Sequence, residues 1–377
     1  MKISLGRVAA AAAAPVLLLA LGASSAAGLS PGMVAAGQAR PAAALATARF
    51  EPVSASFTSY RVGYVLGTRG HTRLPGAAML VRTVNGGRSW TAVPAPAVRL
   101  VDPSGVAPGS SVSAVFFADA NNGWLFNPAM WVTHDGGRHW RQPSLPGKPG
   151  AMAASNGVAF ASVTPWGGGQ TRLYASRVGT DRWTQVPGVV PAGKLTFYGR
   201  AGWAGLPPSL WATTDLRYWH KLPAFQCPPI LGAPSIASSL AAGTTTRVLL
   251  LCTGNGAAGS LGKTVFASAN GGRTFSLLGS APLPGSSVNT LAIPPGRPQV
   301  VTLATASAAS LLDRSVNGGM TWRMVQYNDG GIGWRDMRYV SPTVGWVVHG
   351  GLPWTLSLNW LMRTVNAGAT WYGVAIP

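Results

Sequence analysis

One short phrase recurs seven times along the 377 residues, and a chain that repeats a phrase folds by stacking one supersecondary unit. Five copies are clear. They read Thr83-x-Asn85-Gly86-Gly87-x-x-Trp90, Thr133-x-Asp135-Gly136-Gly137-x-x-Trp140, Ser268-x-Asn270-Gly271-Gly272-x-x-Phe275, Ser315-x-Asn317-Gly318-Gly319-x-x-Trp322 and Thr364-x-Asn366-Ala367-Gly368-x-x-Trp371. Two worn copies end at Trp183 and Trp219.

A hydroxyl followed by Asx and Gly-Gly is turn chemistry. The Asx side chain accepts from nearby backbone N–H groups, and Gly tolerates positive φ. Alternating residues flank each turn, as in Met79-Leu80-Val81-Arg82 before it and Ser89-Trp90-Thr91-Ala92-Val93 after it. Each phrase therefore predicts the outer hairpin of a small sheet, with its aromatic packed between neighbouring sheets.

A second phrase precedes each hairpin. Phe57-x5-Gly63-Tyr64, Phe117-x5-Gly123-Trp124 and Tyr339-x5-Gly345-Trp346 share one spacing, and Phe197-x4-Gly202-Trp203 is one residue shorter. Each reads as strand, polar turn, strand. Together the phrases predict an all-β chain of four-stranded antiparallel units, a seven-bladed β-propeller. An open sandwich or a β-solenoid is the plain alternative.

The turn phrase resembles the Asp-box of sialidase- and sortilin-like propellers. The aromatic-x5-Gly-Trp phrase is more similar to the photosystem II stability/assembly factor family, a group of Asp-box propellers. The resemblance spans about residues 50–377 and implies a propeller fold. Departures are visible: Asn stands for Asp at Asn85, Asn270, Asn317 and Asn366. Val178 holds the Asx place in the Trp183 copy, and the Trp219 copy keeps Thr213 and Asp215 but loses one residue and both glycines. These boxes read as scaffold, not as ion sites.

Residues 1–27 read as a secretory signal, with Lys2 and Arg7 ahead of an apolar run from Val8 to Leu21 and small residues Ser24-Ser25-Ala26-Ala27. An uncleaved N-terminal anchor is the alternative. Residues 28–49 form an Ala/Gly/Pro-rich linker, and residues 50–377 form the propeller. The expected location is outside the cytoplasm, in the envelope or medium.

The net charge of +20 arises from 29 Lys plus Arg against only 9 Asp plus Glu. Acids are scarce, whereas bases are not clustered into the stripe a dedicated nucleic-acid binder shows. Attraction to an anionic lipid or polymer surface and adaptation to acidic surroundings both fit. The two cysteines, Cys227 and Cys252, are placed by the blade map near neighbouring strands of the fifth blade, where they predict a disulfide in an exported chain. Two separate buried thiols are the alternative.

Sialidase chemistry needs an arginine cluster, a Tyr nucleophile with a Glu partner, and an acid/base Asp. This chain has one Glu, Glu51. Asp135, Asp181 and Asp215 sit in or beside boxes, and Asp119 in a turn. Asp329 and Asp336 are the one close carboxylate pair that a two-acid glycosidase could draw on. The five histidines lack metal-ligand spacing. No catalytic residue, metal or cofactor is assigned.

The expected binding surface is the disc face opposite the box turns. Its loops carry Arg69, His71, Arg73, Arg99, Trp166, Tyr327, Asp329 and Trp354, with Trp334 just beyond. Exposed Arg and aromatics suit protein or glycan recognition. The expectation is a monomeric, non-catalytic scaffold for a protein or an anionic envelope polymer or lipid, with glycans as further candidates and nucleic acid excluded. The alternative is a carbohydrate-active protein, lectin or sialidase-like hydrolase, using the same face.

Overall fold

A computed structural model describes residues 49–69, 76–100, 111–191, 194–257, 260–285, 287–329, 333–350 and 359–377. The expected signal, residues 28–48 of the expected linker, His71, Arg73, Asp102 and Trp354 lie outside the described residues. The chain forms seven antiparallel sheets, each a meander in sequence order. Blade one comprises Phe50–Phe57, Gly63–Arg69, Met79–Thr83 and Thr91–Val93. Blade two has three full strands, and a bridge between Val132 and Arg141 holds its fourth position. The last blade runs from Trp334–Tyr339 to Tyr372–Val374. The seven-bladed propeller is thus the observed fold.

The first strand of each blade is innermost, and residues from all seven line a central channel. Several of these strands carry a bulge, among them Phe50–Phe57 at Pro52/Ser54 and Trp334–Tyr339 at Arg335/Arg338. A bulge adds local bend and re-aims side chains.

The aromatic-x5-Gly spacing has a steric cause. A Cβ on Gly63 would stand 2.1 Å from the Phe57 ring, and one on Gly123 would stand 2.4 Å from Phe117. The ring lies flat over the glycine across the hairpin, so no side chain fits there. The aromatic after the glycine reaches the next blade. Tyr64 stacks on Phe117 of blade two, with centroids 3.5 Å apart, and Trp346 of blade seven stacks on Phe57 of blade one at 3.7 Å.

The box aromatics occupy the seven blade interfaces. Trp90 packs with core residues of blades seven and one, Trp140 with blades one and two, and Trp183 with blades two and three. Trp219, Phe275, Trp322 and Trp371 continue the series to blades six and seven. Ring closure rests on this packing: Phe50, Phe57 and Val65 share one cluster with Trp346, Val348 and Ile376. Among the described residues no strand is exchanged between the terminal blades.

Within each full box the hydroxyl accepts the N–H of the second Gly, as Ser315 Oγ does from Gly319 at 2.8 Å. The first Gly then donates to the first hairpin turn of its own blade: Gly86 to the Arg61 carbonyl, Gly136 to Asn121, Gly271 to Thr246 and Gly318 to Gln299. These bonds put both turns on one face. In the shortened copy Leu216 takes the positive φ of the missing glycine, at 68°. Its side chain is buried against Phe160 and Leu173 of blade three, which offsets that strain.

Several arginines are spent on the same joints. Arg247 Nη2 donates to the Gly318 carbonyl, Arg314 Nε to Ala367 and Arg363 Nη1 to Gly86, each tying one blade to the box of the next. Cys227 and Cys252 form the disulfide, with Cα atoms 5.7 Å apart. It fastens the segment before blade five to that blade's second strand, Val248–Ala257.

Candidate functional site

The face opposite the boxes displays most of the expected residues at strand ends. Trp166 is 44% exposed, with Lys148 Nζ 5.8 Å from its ring centroid. A second such pair was not foreseen: the Arg49 guanidinium lies 3.9 Å from the centroid of Trp360, which begins the third strand of blade seven. Arg69 is exposed and donates from Nη2 to the Pro377 carbonyl. Arg99 is exposed in a short parallel pairing with Ser111. Tyr327 is 55% exposed beside Asp329, whose hydrogen bond holds the Tyr327 phenol above its ordinary value.

Trp334 is a correction. Only 2% exposed, it packs against His349 at 4.7 Å in the core of blade seven. Strand alternation turns it inward, so it serves packing and offers a ligand nothing. Burial pushes the His349 imidazole down to about 4, so it is neutral at physiological pH.

The carboxylates are dispersed. Asp135 accepts backbone N–H bonds from Arg138 and His139 within its own box, and the His139 bond holds its carboxyl far below the usual range. Asp215 repeats the pattern with Arg217 and Tyr218. Asp181 pairs with His134 and Arg141 across blades two and three. Asp329 ends the outer strand of blade six, whereas Asp336 projects into the channel from the inner strand of blade seven. The structure therefore shows no shared cleft for these two. Among the described residues no three His, Cys, Asp or Glu side chains group as metal ligands.

The channel is the feature that sequence reasoning missed. Toward the box face it holds a cavity of about 630 Å³, lined by inner-strand residues of all seven blades, among them Ser56, Phe116, Met152, Thr196 and Asp336. Asp336 sits at the bulge with φ of 52°, its Oδ2 accepting from Ser54 Oγ at 2.6 Å and from Ala55 N–H at 2.9 Å. Burial raises the Asp336 carboxyl despite those bonds. Arg338 also points into the lumen. Repeat alignment could have signalled it: Arg338 stands where blades one, two and four have Ser56, Phe116 and Thr196, just before the aromatic.

The fold has clear relatives among solved structures. YCF48 bound to D1 peptide superposes with a TM-score of 0.53 over 85% of this chain and 95% of that one, at 20% identity. The chain shares the seven-bladed fold of YCF48. YCF48 from Cyanidioschyzon merolae gives 0.50 at 17% identity, covering 86% and 97%. A prolyl endopeptidase gives 0.51 at 14% identity over 86% of this chain but 49% of that longer one. No protein-family model matches the chain, and no curated protein matches it. The photosystem II assembly-factor resemblance read from the two phrases therefore agrees with the structural neighbours. Those neighbours include an enzyme as well as YCF48, so the fold alone does not choose between catalysis and binding.

Proposed function

We propose that this chain is an exported, non-catalytic propeller scaffold whose loop face binds a protein or an anionic envelope component. The observation that carries this is the pairing of cations with solvent-facing indoles, Lys148 with Trp166 and Arg49 with Trp360, on one face. Such pairs combine a flat apolar surface with positive charge, and they hold acidic partners by stacking and charge-assisted hydrogen bonds. YCF48, solved with a D1 peptide, is a precedent for peptide binding on this fold. Export rests on the N-terminal charge and apolar run. The commitment of Asp135, Asp181 and Asp215 to turns and joints argues against two-carboxylate hydrolysis. The carbohydrate-active alternative draws on the same exposed rings.

The test is capture from envelope fractions at rising salt. Trp166→Ala with Trp360→Ala, and separately Arg49→Ala with Lys148→Ala, are expected to weaken capture, and salt to weaken it in the unaltered protein. Capture unchanged in both double variants overturns the reading. So does turnover of a fluorogenic sialoside that Asp329→Asn abolishes.

A further inference from the structure

We propose that the loop-face tip of blade five is a membrane contact, an apolar turn whose Leu231 seats in the surface of a bilayer with anionic headgroups. The inference rests on the loop-face reading for the choice of face. It goes beyond that reading in naming the partner and a contact point on another blade.

The first observation is the turn. Ile230 and Ala233 exchange backbone hydrogen bonds of 2.9 and 3.0 Å, and Leu231 and Gly232 between them hold φ of 52° and 77°. Two successive residues of positive φ make a hairpin turn that favours Asn-Gly or Gly-Gly, and a leucine there is strained. Leu216 carries a similar φ in blade four, but its side chain is buried. Leu231 is 86% exposed, so packing within the chain does not offset its strain. A bulky apolar residue held in strain at the surface points to a contact outside the chain. The base of the turn is braced. Cys227 is bonded to Cys252, and Ser235 Oγ donates to the Pro228 carbonyl. Ile230 covers Gly254 and Gly262, where added Cβ atoms would stand 3.0 and 2.4 Å from it.

The second observation is the company Leu231 keeps. Its Cδ1 lies 3.8 Å from the place a Cβ on Gly262 would take. The neighbouring Leu261 donates its N–H to the carbonyl of Leu283, an exposed leucine. Ile236, also exposed, pairs with Thr253, next to the pairing of Ser235 with Gly254. Three exposed aliphatic side chains thus stand round the loop-face end of blade five. They rise on turns and strand ends, which suits insertion into a soft apolar layer.

The third observation is the distribution of charge. Blades three and seven stand two places to either side of blade five. Each presents a cation beside an exposed indole at the loop face, Lys148 with Trp166 and Arg49 with Trp360. Trp, Lys and Arg settle where headgroups meet acyl chains. Contacts spread round the ring suit an extended surface better than a compact partner. Acids keep clear of this face. Asp119, Asp135, Asp181 and Asp215 belong to turns of the box face, Glu51 and Asp313 are buried, and Asp336 lines the channel. Among the described residues Asp329 is the one acid exposed at the loop face. An acid-poor face on a chain of net charge +20 is complementary to anionic headgroups.

The experiment mixes the full chain with vesicles of phosphatidylglycerol and phosphatidylcholine, or of phosphatidylcholine alone, and reads binding by flotation. Binding to the mixed vesicles is expected, weakened by salt, and weaker by about tenfold or more on phosphatidylcholine alone. Leu231→Asn removes the apolar side chain and supplies the residue that the turn favours. It should melt no lower than the unaltered protein, yet bind mixed vesicles about tenfold more weakly. Hydrogen exchange locates the contact, since amides of residues 230–236 should slow when mixed vesicles are added. No binding to mixed vesicles, equal binding by Leu231→Asn, or unchanged exchange at 230–236 would each overturn the proposal. Envelope capture that persists while vesicles fail to bind would overturn it too, and would leave the loop-face reading standing with a protein or polymer as partner.

Discussion

Asn317 donates from Nδ2 to the Thr321 hydroxyl, 2.8 Å away, inside the box of blade six. The same bond joins Asn85 to Ser89, Asn270 to Thr274 and Asn366 to Thr370. In each case Oδ1 accepts the backbone N–H of that fourth residue. Where Asp replaces Asn, at Asp135, the fourth residue is His139, whose Nδ1 meets the second carboxylate oxygen. In the five full boxes the residue four places on thus complements the amide or acid. A hydroxyl can accept from the amide, and an imidazole N–H can donate to the acid.

Asn317→Ala removes these two bonds and the one that Oδ1 accepts from Ser315 Oγ, and should lower stability by about 1 kcal/mol, as loss of a side-chain cap does. Asn317→Asp should cost less, because Oδ1 remains and the Thr321 hydroxyl can turn to donate. Urea denaturation of the three proteins measures this. Envelope capture per folded molecule should not change in either variant.

The glycine beneath each inner aromatic predicts a position-specific sensitivity. Gly123→Ala would drive a methyl to 2.4 Å from the Phe117 ring, which also stacks on Tyr64 of blade one. Overpacking of this kind costs about 1–3 kcal/mol. Gly167→Ala meets nothing within 4 Å and should shift stability by no more than about 0.5 kcal/mol. Thermal melts of the pair decide it, and equal melting temperatures would contradict the steric account.

Reduction of Cys227–Cys252 should destabilise the fold. The bond spans 25 residues, for which the chain-entropy model gives about 3 kcal/mol. Non-reducing peptide mapping should recover the linked peptides, and the denaturation midpoint should fall on adding a reductant. A midpoint indifferent to reductant would assign the bridge no stabilising role.

Asp313 and Lys263 predict a pH effect with a definite sign. Lys263 Nζ lies within hydrogen-bond reach of the carbonyls of Leu261, Pro282, Leu283 and Pro284, which share its three N–H donors, and is nearly inaccessible. Asp313 is buried near it, with Oδ2 unpaired. Burial pushes the Asp313 carboxyl up from 3.8 to about 6, although the Lys263 charge opposes this. The folded state then holds a proton that the unfolded state has released. Asp313 therefore stabilises the fold below about pH 4, and this contribution is lost as pH rises through 6. Relative to Asp313→Asn, the unaltered protein should lose on the order of 2 kcal/mol between pH 4 and 6. Denaturation curves of both proteins across that window test it, and parallel pH profiles would contradict it.

The blade joints were legible in sequence because they are built from short-range rules. The box hydroxyl, Asx and glycines lie within five residues of one another, and their bonds close locally, as from Gly87 N–H to Thr83 Oγ1. The spacing from Phe57 to Gly63 reports one hairpin, in which Phe57 pairs with Gly63. Even Cys227 and Cys252 could be joined by counting strands within one blade. The loop-face list was legible only in part. Trp166 and Tyr327 are exposed as expected, but Trp334 is not, because a strand end alternates between core and solvent and a one-residue phase decides which.

By itself the sequence determined the number of blades, the chemistry of their turns and the aromatic at every interface, since each depends on residues close in the chain and repeats sevenfold. Only the tertiary structure decided which charges meet. Arg49 finds Trp360 because the ring closes, bringing the start of blade one against the third strand of blade seven. Asp336 finds Ser54 across 282 residues for the same reason. Arg338 enters the lumen and Asp329 does not, because one lies on an innermost strand and the other on an outermost one. Such placements depend on radial position in a closed ring, a quantity that local spacing does not encode.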